Sequence, residues 1–256
     1  MSKKAEIQNR MTTSDNEWLN PSADLTLSRD EIHVWRADLD PPTSHLQLLA
    51  KTLSADERNR AERFYFEQHR NRFIAGRGIL RTILARYLGI DPSEVQFGYE
   101  PRGKPILAET SGDSRLCFNL SHSQGLALYA VGRDRSLGID LEYIRPISDA
   151  EQLAKRFFSA QEYAVIRALP PSQKQETFFR YWTCKEAYLK ATGDGLAQLD
   201  QIEILLTPEK PASELRLPSS LASQDWVLQE LTPTANYVAA LVVAGQGWHL
   251  RSWQFL

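Results

Sequence analysis

The chain repeats itself, and the repeat restricts the folds open to it. Residues 53–57 (LSADE) resemble residues 158–162 (FSAQE), an offset of 105 residues that grows to 108 where Arg77 meets Lys185. In both segments a serine precedes a glutamate by three positions, which is the capping box that begins a helix. The strand-turn-strand pattern of 126–142 recurs at 237–253. This period is too long for a solenoid, whose repeats span about 20 to 50 residues, so we expect two similar α/β halves packed as an intramolecular pseudo-dimer.

The pattern along the chain supports that division. Residues 1–28 are polar and aperiodic, which predicts a flexible N-terminal tail. An N-terminal half over 29–143 and a C-terminal half over 144–256 follow. Apolar periodicity predicts helices at 54–66, 69–88, 160–169 and 173–192. It predicts strands at 31–37, 117–120, 126–131, 136–143, 202–206, 226–231, 237–244 and 249–255.

The repeat is broken where it carries acids. At the position of Glu186 the first half has Gly78, and at the position of Asp140 the second half has a residue near Ser252. Neither half therefore contains a complete set of acids. We expect one site per chain, at the junction of the halves, because clefts between packed units are usual places for ligands.

The acids themselves lie in two short segments. In Gly138-Ile-Asp-Leu-Glu142 apolar and acidic residues alternate, so Asp140 and Glu142 share one face of a strand. Glu186 and Lys190 are four apart and share one face of a helix. Alone, these features are typical of a solvated strand face and a helix ion pair. Brought together, three carboxylates would repel one another unless a cation joined them, which indicates a site for a hard ion such as Mg²⁺ beside a phosphate.

Composition excludes several other classes of protein. The net charge of −2 provides no basic field for nucleic acid. Cys117 and Cys184 give neither a disulfide framework nor a zinc spacing. No apolar run is long enough to cross a membrane, and no apolar stretch follows the lysines at the N-terminus as in a secretory signal. No glycine-rich phosphate loop of the Walker or dinucleotide type occurs. We therefore expect a cytoplasmic protein that acts without membrane or nucleic acid.

A second group of candidate residues has the character of an anion site. His122 lies in Asn119-Leu-Ser-His-Ser123, where an imidazole is surrounded by short hydrogen-bonding side chains at the end of a strand. Arginines are frequent before it, and most of them fit a solvated helix face. A few are candidates for holding a polyanionic ligand; the set is Arg58, Arg60, Arg63, Arg70, Arg72 and Arg77.

Taken together, these segments resemble the 4′-phosphopantetheinyl transferases, in the surfactin-synthetase-activating subclass. The resemblance covers about residues 53–205, and its motifs occur in the family's order and near its spacing. The motifs are Gly103-Lys-Pro105, Phe118-Asn-Leu-Ser-His-Ser123, Gly138-Ile-Asp-Leu-Glu142, Arg156-Phe-Phe-Ser159, Trp182-Thr-Cys-Lys-Glu-Ala-Tyr-Leu-Lys190 and Gly193-Asp-Gly-Leu196. The family's pseudo-twofold α/β architecture matches the repeat.

The resemblance implies an activity and a set of roles. Such enzymes move the phosphopantetheine arm of coenzyme A to a serine of an apo acyl or peptidyl carrier protein and release adenosine 3′,5′-bisphosphate. By position, Asp140, Glu142 and Glu186 would hold Mg²⁺. Glu186, or a metal-bound water, would take the serine proton, and Lys190 with Lys185 would stabilise charge on the pyrophosphate.

The remaining implied contacts belong to coenzyme A. The 3′-phosphate would be held by His122, Ser121, Arg72 and Arg60, and the adenine would be bordered by Lys104 and Pro105. Glu57 and Glu67 stand where some relatives have basic residues, which leaves the phosphate contacts open.

Several alternatives also stay open. One is a Mg²⁺-dependent phosphoryl or nucleotidyl hydrolase that uses the same acids, and another is a carrier-binding module without catalysis. The carrier itself, whether from fatty-acid, polyketide or peptide synthesis, is also open. An internal pseudo-dimer needs no second copy, so a monomer is expected.

Overall fold

Two β-sheets stack face to face in the computed structural model, and each sheet carries a long helix on its outer surface. The structure describes residues 17–22, 24–108, 115–194, 196–207, 210–218 and 224–256. The first sheet consists, in spatial order, of β11 (His249–Gln254), β1 (Glu31–Asp38), β5 (Leu126–Arg133) and β4 (Leu116–Ser123). The second consists of β6 (Leu137–Tyr143), β10 (Tyr237–Ala244) and β9 (Trp226–Leu231). Two separate hairpins complete the strands described. They are β2 (Phe97–Tyr99) with β3 (Pro105–Leu107), and β7 (Glu203–Thr207) with β8 (Lys210–Arg216).

The elements of the first half begin with β1 and end with β6. A short 3₁₀ turn at Pro92–Glu94 follows the long helix. The bounds are β1 Glu31–Asp38, α1 Thr43–Thr52, α2 Ala55–Glu62, α3 Glu67–Leu88, β2 Phe97–Tyr99, β3 Pro105–Leu107, β4 Leu116–Ser123, β5 Leu126–Arg133 and β6 Leu137–Tyr143.

The elements of the second half begin with a helix. A 3₁₀ turn at Leu196–Gln201 follows its long helix. The bounds are α4 Ala150–Phe157, α5 Ala160–Ala168, α6 Pro171–Thr192, β7 Glu203–Thr207, β8 Lys210–Arg216, β9 Trp226–Leu231, β10 Tyr237–Ala244 and β11 His249–Gln254.

The two halves correspond element by element at their helices, as the repeat predicts. Helices α3 and α6 each have 22 residues, and each ends at a glycine in the left-handed conformation. Each is preceded by a short helix that begins with a complete capping box, one at Ser54 and the other at Ser159. The predicted α/β pseudo-dimer is therefore confirmed.

The last strand of each half crosses to the other sheet. Strand β6 pairs antiparallel with β10 of the second half, and β11 pairs parallel with β1 of the first half. The predicted division between residues 143 and 144 consequently separates the halves in sequence but not the two sheets. This exchange places β6, with its acids, beside the long helix of the second half.

Side-chain alternation on the strands produces three layers of core. On β6, Leu137, Ile139 and Leu141 point between the sheets, where they meet Ile32 and Val34 of β1. Helix α3 closes the outer face of the first sheet and α6 closes that of the second. The opposite face of β6, with Asp140 and Glu142, therefore looks toward α6, in agreement with the predicted alternation.

A glycine allows close helix packing in the first half. A Cβ added to Gly78 of α3 would lie 2.7 Å from the Cβ and 2.9 Å from the carbonyl oxygen of Leu49. Helix α1 therefore rests directly on α3 at this point. Helix α1 lies outside the elements that the sequence pattern predicts, as do α4, β2, β3 and β8.

The N-terminal segment corrects one expectation. Within the range expected to be a flexible tail, the N–H of Leu19 donates to the carbonyl of Ser252, and Leu19 bridges to Trp253 of β11. Leu27 is buried in the first core. Leu25 and Leu27 thus pack against the core of the first half and Trp18 against the core between the sheets, whereas residues 1–16 and 23 lie outside the described residues. No helix in the described ranges is long and apolar enough to cross a membrane.

Candidate active site

The site begins with a close approach between β6 and α6. A Cβ added to Gly138 would lie 2.1 Å from the carbonyl oxygen of Ala187 and 2.4 Å from the backbone nitrogen of Ala191. No side chain larger than hydrogen fits there. The helix backbone therefore touches the strand, and the residues of α6 that flank this contact reach the acids of β6.

Lys190 and Asp140 are joined by this approach. The ammonium of Lys190 donates to Asp140 Oδ1 at 2.7 Å, to the Ser121 hydroxyl at 3.0 Å and to the Ile139 carbonyl at 3.2 Å. Asp140 is nearly buried, with 6% of its surface exposed, so the ion pair is shielded from water. Its other oxygen, Oδ2, is buried and has no hydrogen-bond partner among the described residues.

Glu186 completes the group of acids from the helix side. Burial, together with the negative charges of Asp140 and Glu142, raises the pKa of the Glu186 carboxyl to about 6 against the opposing effect of Lys190. These interactions show that the four side chains share one electrostatic environment. The structure thus brings together the predicted metal ligands and the predicted catalytic lysine.

Serines of β4 hold the two acids of β6. The hydroxyl of Ser121 donates to Asp140 Oδ1 at 2.9 Å, and that of Ser123 donates to Glu142 Oε2 at 2.9 Å. Arg145 adds a contact of 3.3 Å to the same oxygen of Glu142. The predicted anion-binding residue Ser121 is therefore in direct contact with the acid cluster.

His122 lies between these two serines in the chain and belongs to the same site. Its ring is at the surface, yet desolvation by the surrounding protein lowers its pKa, and the positive charge of Lys190 lowers it further while Glu142 raises it. A neutral imidazole keeps one ring nitrogen as a donor, so His122 can still donate to an anion.

Lys185 does not face this site, which corrects the expectation that it binds a phosphate. Its side chain is completely buried, and its ammonium lies 2.7 Å from Glu162 Oε2. It also donates to the carbonyls of Leu199 and Ile202. Lys185 and Lys190 are five residues apart on α6, about 500° of helical rotation, so they do not share a face. Every donor of Lys185 is used inside the protein.

Lys104 reaches the site from the other half. Its ammonium donates to the backbone carbonyl of Lys190 at 2.7 Å, and burial lowers its pKa. Pro105 follows it as the first residue of β3 and pairs with Tyr99. The ammonium of Lys104 therefore lies at the C-terminal end of α6, beside the backbone of Lys190.

The two predicted arginines differ in position. Arg72 makes a two-pronged ion pair with Asp40 at 2.8 and 2.6 Å, beside Gly125 in the turn that follows His122. Arg60 lies over the ring of Phe73 at 5.3 Å from its centroid. Arg72 is thus at the edge of the site, and no contact of the described residues joins Arg60 to the acids.

The acid cluster fits a hard cation in chemistry but is not assembled as a metal centre. Among the described residues, no three His, Cys, Asp or Glu side chains stand close enough to hold an ion as they are. The ammonium of Lys190 supplies positive charge at Asp140 instead. The unpartnered Oδ2 of Asp140 and the carboxylate donors of Glu142 and Glu186 are nevertheless the oxygen ligands that Mg²⁺ prefers.

Two polar residues of this site are absent from the predicted set. Ser123 binds Glu142, and Asn119 Oδ1 accepts a hydrogen bond of 3.0 Å from the backbone N–H of Ile139. Both lie two residues from Ser121, so the three side chains share one face of β4. The alternation of polar and apolar residues over 118–123 is the signal that identifies them.

Sequence comparisons place this geometry in a known context. A profile of the 4′-phosphopantetheinyl transferase superfamily matches residues 136–242, and a profile of the N-terminal part of 4′-phosphopantetheinyl transferases matches residues 37–132. The boundary between the two profiles falls in the β5–β6 turn.

Individual relatives agree with the profiles. The 4′-phosphopantetheinyl transferase HetI of Nostoc sp. (strain PCC 7120) is 59% identical over 93% of this chain and 98% of its own length. The 4′-phosphopantetheinyl transferase Sfp of Bacillus subtilis (strain 168) is 31% identical over 66% of this chain and 72% of its own length. The human L-aminoadipate-semialdehyde dehydrogenase-phosphopantetheinyl transferase is 28% identical over 66% of this chain and 57% of its own length.

Proposed function

The chain belongs to the 4′-phosphopantetheinyl transferase superfamily and transfers phosphopantetheine from coenzyme A to a carrier protein, and we propose that Asp140, Glu142 and Glu186 hold Mg²⁺ at the centre of this reaction. The observation that supports the assignment is the junction of β6 and α6, where three carboxylates and Lys190 share one electrostatic environment. The acceptor is a serine of the apo carrier, and the by-product is adenosine 3′,5′-bisphosphate.

The cation binds through acids supplied by two elements. Asp140 offers its unpartnered Oδ2, and Glu142 and Glu186 offer carboxylate oxygens from β6 and α6. When bound, Mg²⁺ neutralises charge on the pyrophosphate of coenzyme A. Phosphoryl transfer depends on such neutralisation and on positioning more than on covalent help from the protein.

Glu186 is the proposed general base. Burial and its acidic neighbours raise its pKa to about 6 in the metal-free protein, which is near the range of an effective base at neutral pH. Its carboxylate accepts the proton of the carrier serine as the hydroxyl attacks phosphorus.

Lys190 is the proposed stabiliser of the leaving group. Its ammonium already lies in a half-buried position between Asp140 and Ser121, held by three hydrogen bonds. A preorganised charge costs no rearrangement as negative charge develops on the departing bisphosphate. Lys104 fixes the end of α6 that carries it.

The distal part of coenzyme A is assigned to the edge of this site. His122 offers a ring N–H to the 3′-phosphate, with Arg72 beside it once it exchanges Asp40 for phosphate. Ser121 would join them by turning its hydroxyl proton away from Asp140. Lys104 and Pro105 border the adenine. Arg60 remains a further candidate for the phosphate, although no contact joins it to the acids in the described residues.

Mass spectrometry of an apo carrier tests the proposal. We expect the carrier to gain the mass of phosphopantetheine only with coenzyme A and a divalent cation, and EDTA to prevent the gain. Release of phosphate from simple phosphoesters without a carrier would indicate the hydrolase alternative. Carrier binding without any mass gain would indicate a non-catalytic module.

The internal pseudo-dimer supplies both sides of the site from one chain, so we propose that the enzyme acts as a monomer. Gel filtration with light scattering should then give the mass of one chain, 29.2 kDa, at the concentrations used for assay. We also propose that it acts in the cytoplasm, as expected from the sequence.

A further inference from the structure

Strands β4 and β6 meet through side chains instead of a backbone ladder. Each is the edge strand of a different sheet, and neither is paired with the other in the described sheets. Asn119 Oδ1 accepts from the backbone N–H of Ile139 at 3.0 Å, and Ser123 Oγ accepts from that of Tyr143 at 3.1 Å. Edge groups that would otherwise lack partners are satisfied in this way.

These contacts determine which group each serine hydroxyl donates its hydrogen bond to. Because the Ser123 hydroxyl accepts from the N–H of Tyr143, its single proton is available for Glu142 Oε2 at 2.9 Å. Ser121 repeats the pattern two residues earlier. It accepts from the Lys190 ammonium at 3.0 Å and donates to Asp140 Oδ1 at 2.9 Å. Two serines on β4 thus hold two acids on β6.

In this arrangement of the described residues, one oxygen of each carboxylate is bound by a serine, and the other oxygen is not. Asp140 Oδ1 and Glu142 Oε2 accept hydrogen bonds from the serine hydroxyls, and Arg145 adds a second contact to Glu142 Oε2. In the described part of the chain, Asp140 Oδ2 has no hydrogen-bond partner. Oδ2 of Asp140 therefore remains for another ligand. In the same way, the Ser123 contact occupies Oε2 of Glu142 and leaves the other oxygen of that carboxylate for a ligand.

We propose that Ser123 is a positioning residue that orients Glu142 toward the divalent cation, in parallel with the contact of Ser121 to Asp140. The proposal rests on the proposed metal site. Ser123 touches neither the reacting atoms nor the cation and acts through Glu142. Partners of metal-binding carboxylates commonly affect metal affinity by about 10- to 100-fold, so we expect a contribution near the lower value.

Binding of Mn²⁺ as a paramagnetic substitute tests this role without turnover. Free Mn²⁺ is measured by electron paramagnetic resonance during titration of the protein with coenzyme A present and no carrier. We expect Ser123→Ala and Ser123→Val to weaken Mn²⁺ binding about tenfold, and Ser123→Thr to retain near-normal binding because it keeps the hydroxyl. Valine and threonine have the same shape, so their difference isolates the hydrogen bond.

A matched control separates positioning from stability. Ser159→Ala removes a hydroxyl that accepts from the N–H of Glu162 in a capping box of α5, away from the acids. We expect it to lower the melting temperature and leave Mn²⁺ binding unchanged. In transfer assays, extra Mg²⁺ should restore most turnover of Ser123→Val without a change in the KM for coenzyme A.

Two outcomes would overturn different statements. Normal Mn²⁺ binding by both Ser123→Ala and Ser123→Val would disprove the positioning role and leave the metal site intact. A wild-type protein that transfers phosphopantetheine but binds no Mn²⁺ beyond coenzyme A alone would disprove the metal site, and the role of Ser123 with it.

Discussion

Glu57 and Glu162 occupy corresponding places in the two halves, and each binds a cation of the long helix in its own half. Glu57 contacts Arg77 at 2.5 Å, and Glu162 contacts Lys185 at 2.7 Å. Each glutamate also completes the capping box of the short helix that precedes. The repeat therefore conserves an internal brace between two helices, and this brace explains why Lys185 is turned away from the acids.

The brace predicts that Lys185→Met mainly affects stability. Removal of the ammonium leaves Glu162 buried without its partner, which costs about 3 to 5 kcal/mol in comparable pairs. We expect that loss in urea denaturation, with coenzyme A affinity retained below the transition. Lys190→Ala is the comparison, and it should lower kcat more than it weakens coenzyme A binding. Full stability of Lys185→Met with loss of coenzyme A binding would restore its predicted phosphate role.

Glu186→Gln should remove turnover without removing the fold. The amide cannot accept the serine proton, so we expect kcat to fall at least about 100-fold. In the absence of divalent cations the variant should be slightly more stable than the wild type, because one negative charge leaves the surroundings of Asp140 and Glu142. Circular dichroism and urea denaturation in EDTA measure this. Near-normal kcat would exclude Glu186 as base.

Because the imidazole of His33 is buried, we expect the protein to lose stability in mild acid. Burial lowers the pKa of this imidazole from 6.5 to about 4, and its Nδ1 pairs with the Tyr87 hydroxyl at 2.8 Å. Between these two pKa values the unfolded chain binds more protons than the folded one, so stability falls as the pH falls from 6.5 toward 4. The full loss is about 3 kcal/mol.

Denaturation at pH 7, 5.5 and 4 measures how the free energy of unfolding changes with pH. His33→Gln does not titrate and should reduce this change, whereas replacement of the exposed His249 by Gln should not. A second loss is expected below pH 4.5 from Glu31, whose pKa is about 2. Burial raises that pKa, but the hydrogen bonds from Ser28 and the ion pair with Arg251 lower it more. If the free energy of unfolding of His33→Gln changed with pH as it does in the wild type, the loss of stability in acid would have to come from other groups.

Gly138→Ala should separate α6 from β6. The new Cβ would meet backbone atoms of Ala187 and Ala191 at 2.1 and 2.4 Å, and backbone cannot move aside as a side chain can. We expect a destabilisation at or above the upper end of the usual 1 to 3 kcal/mol for overpacking, with strongly reduced kcat. Gly98→Ala is the control, because its nearest neighbour would be a side-chain carbon of Ile106 at 3.4 Å. Equal stability of the two variants would contradict this account.

The faces on which the acids lie could be predicted from the sequence because their spacing is local. Two acids alternate on a strand, and a glutamate and a lysine are four apart on a helix, so their faces follow from backbone geometry. The broken repeat added that the two segments meet at a junction. Capping boxes predicted the starts of α2 and α5, since they depend on two residues three positions apart.

Features that depend on distant contacts were not predictable in this way. The exchange of β6 and β11 between sheets follows from tertiary packing, which no local pattern encodes. Helix α1 begins without a side-chain cap, so it carries no start signal. Lys185 was misassigned because a lysine next to Glu186 resembles a site residue in sequence, while one step along a helix turns a side chain by about 100°.

Gly78 occupies in the first half the position that Glu186 occupies in the second. Leu49 of α1 lies so close that even a methyl group at Gly78 would collide with it. A glutamate placed there would have no room, so a point substitution cannot rebuild a symmetric second centre. The two halves therefore differ at this position for a packing reason: the first half uses it for contact between two helices, and only the second half has room for an acid there.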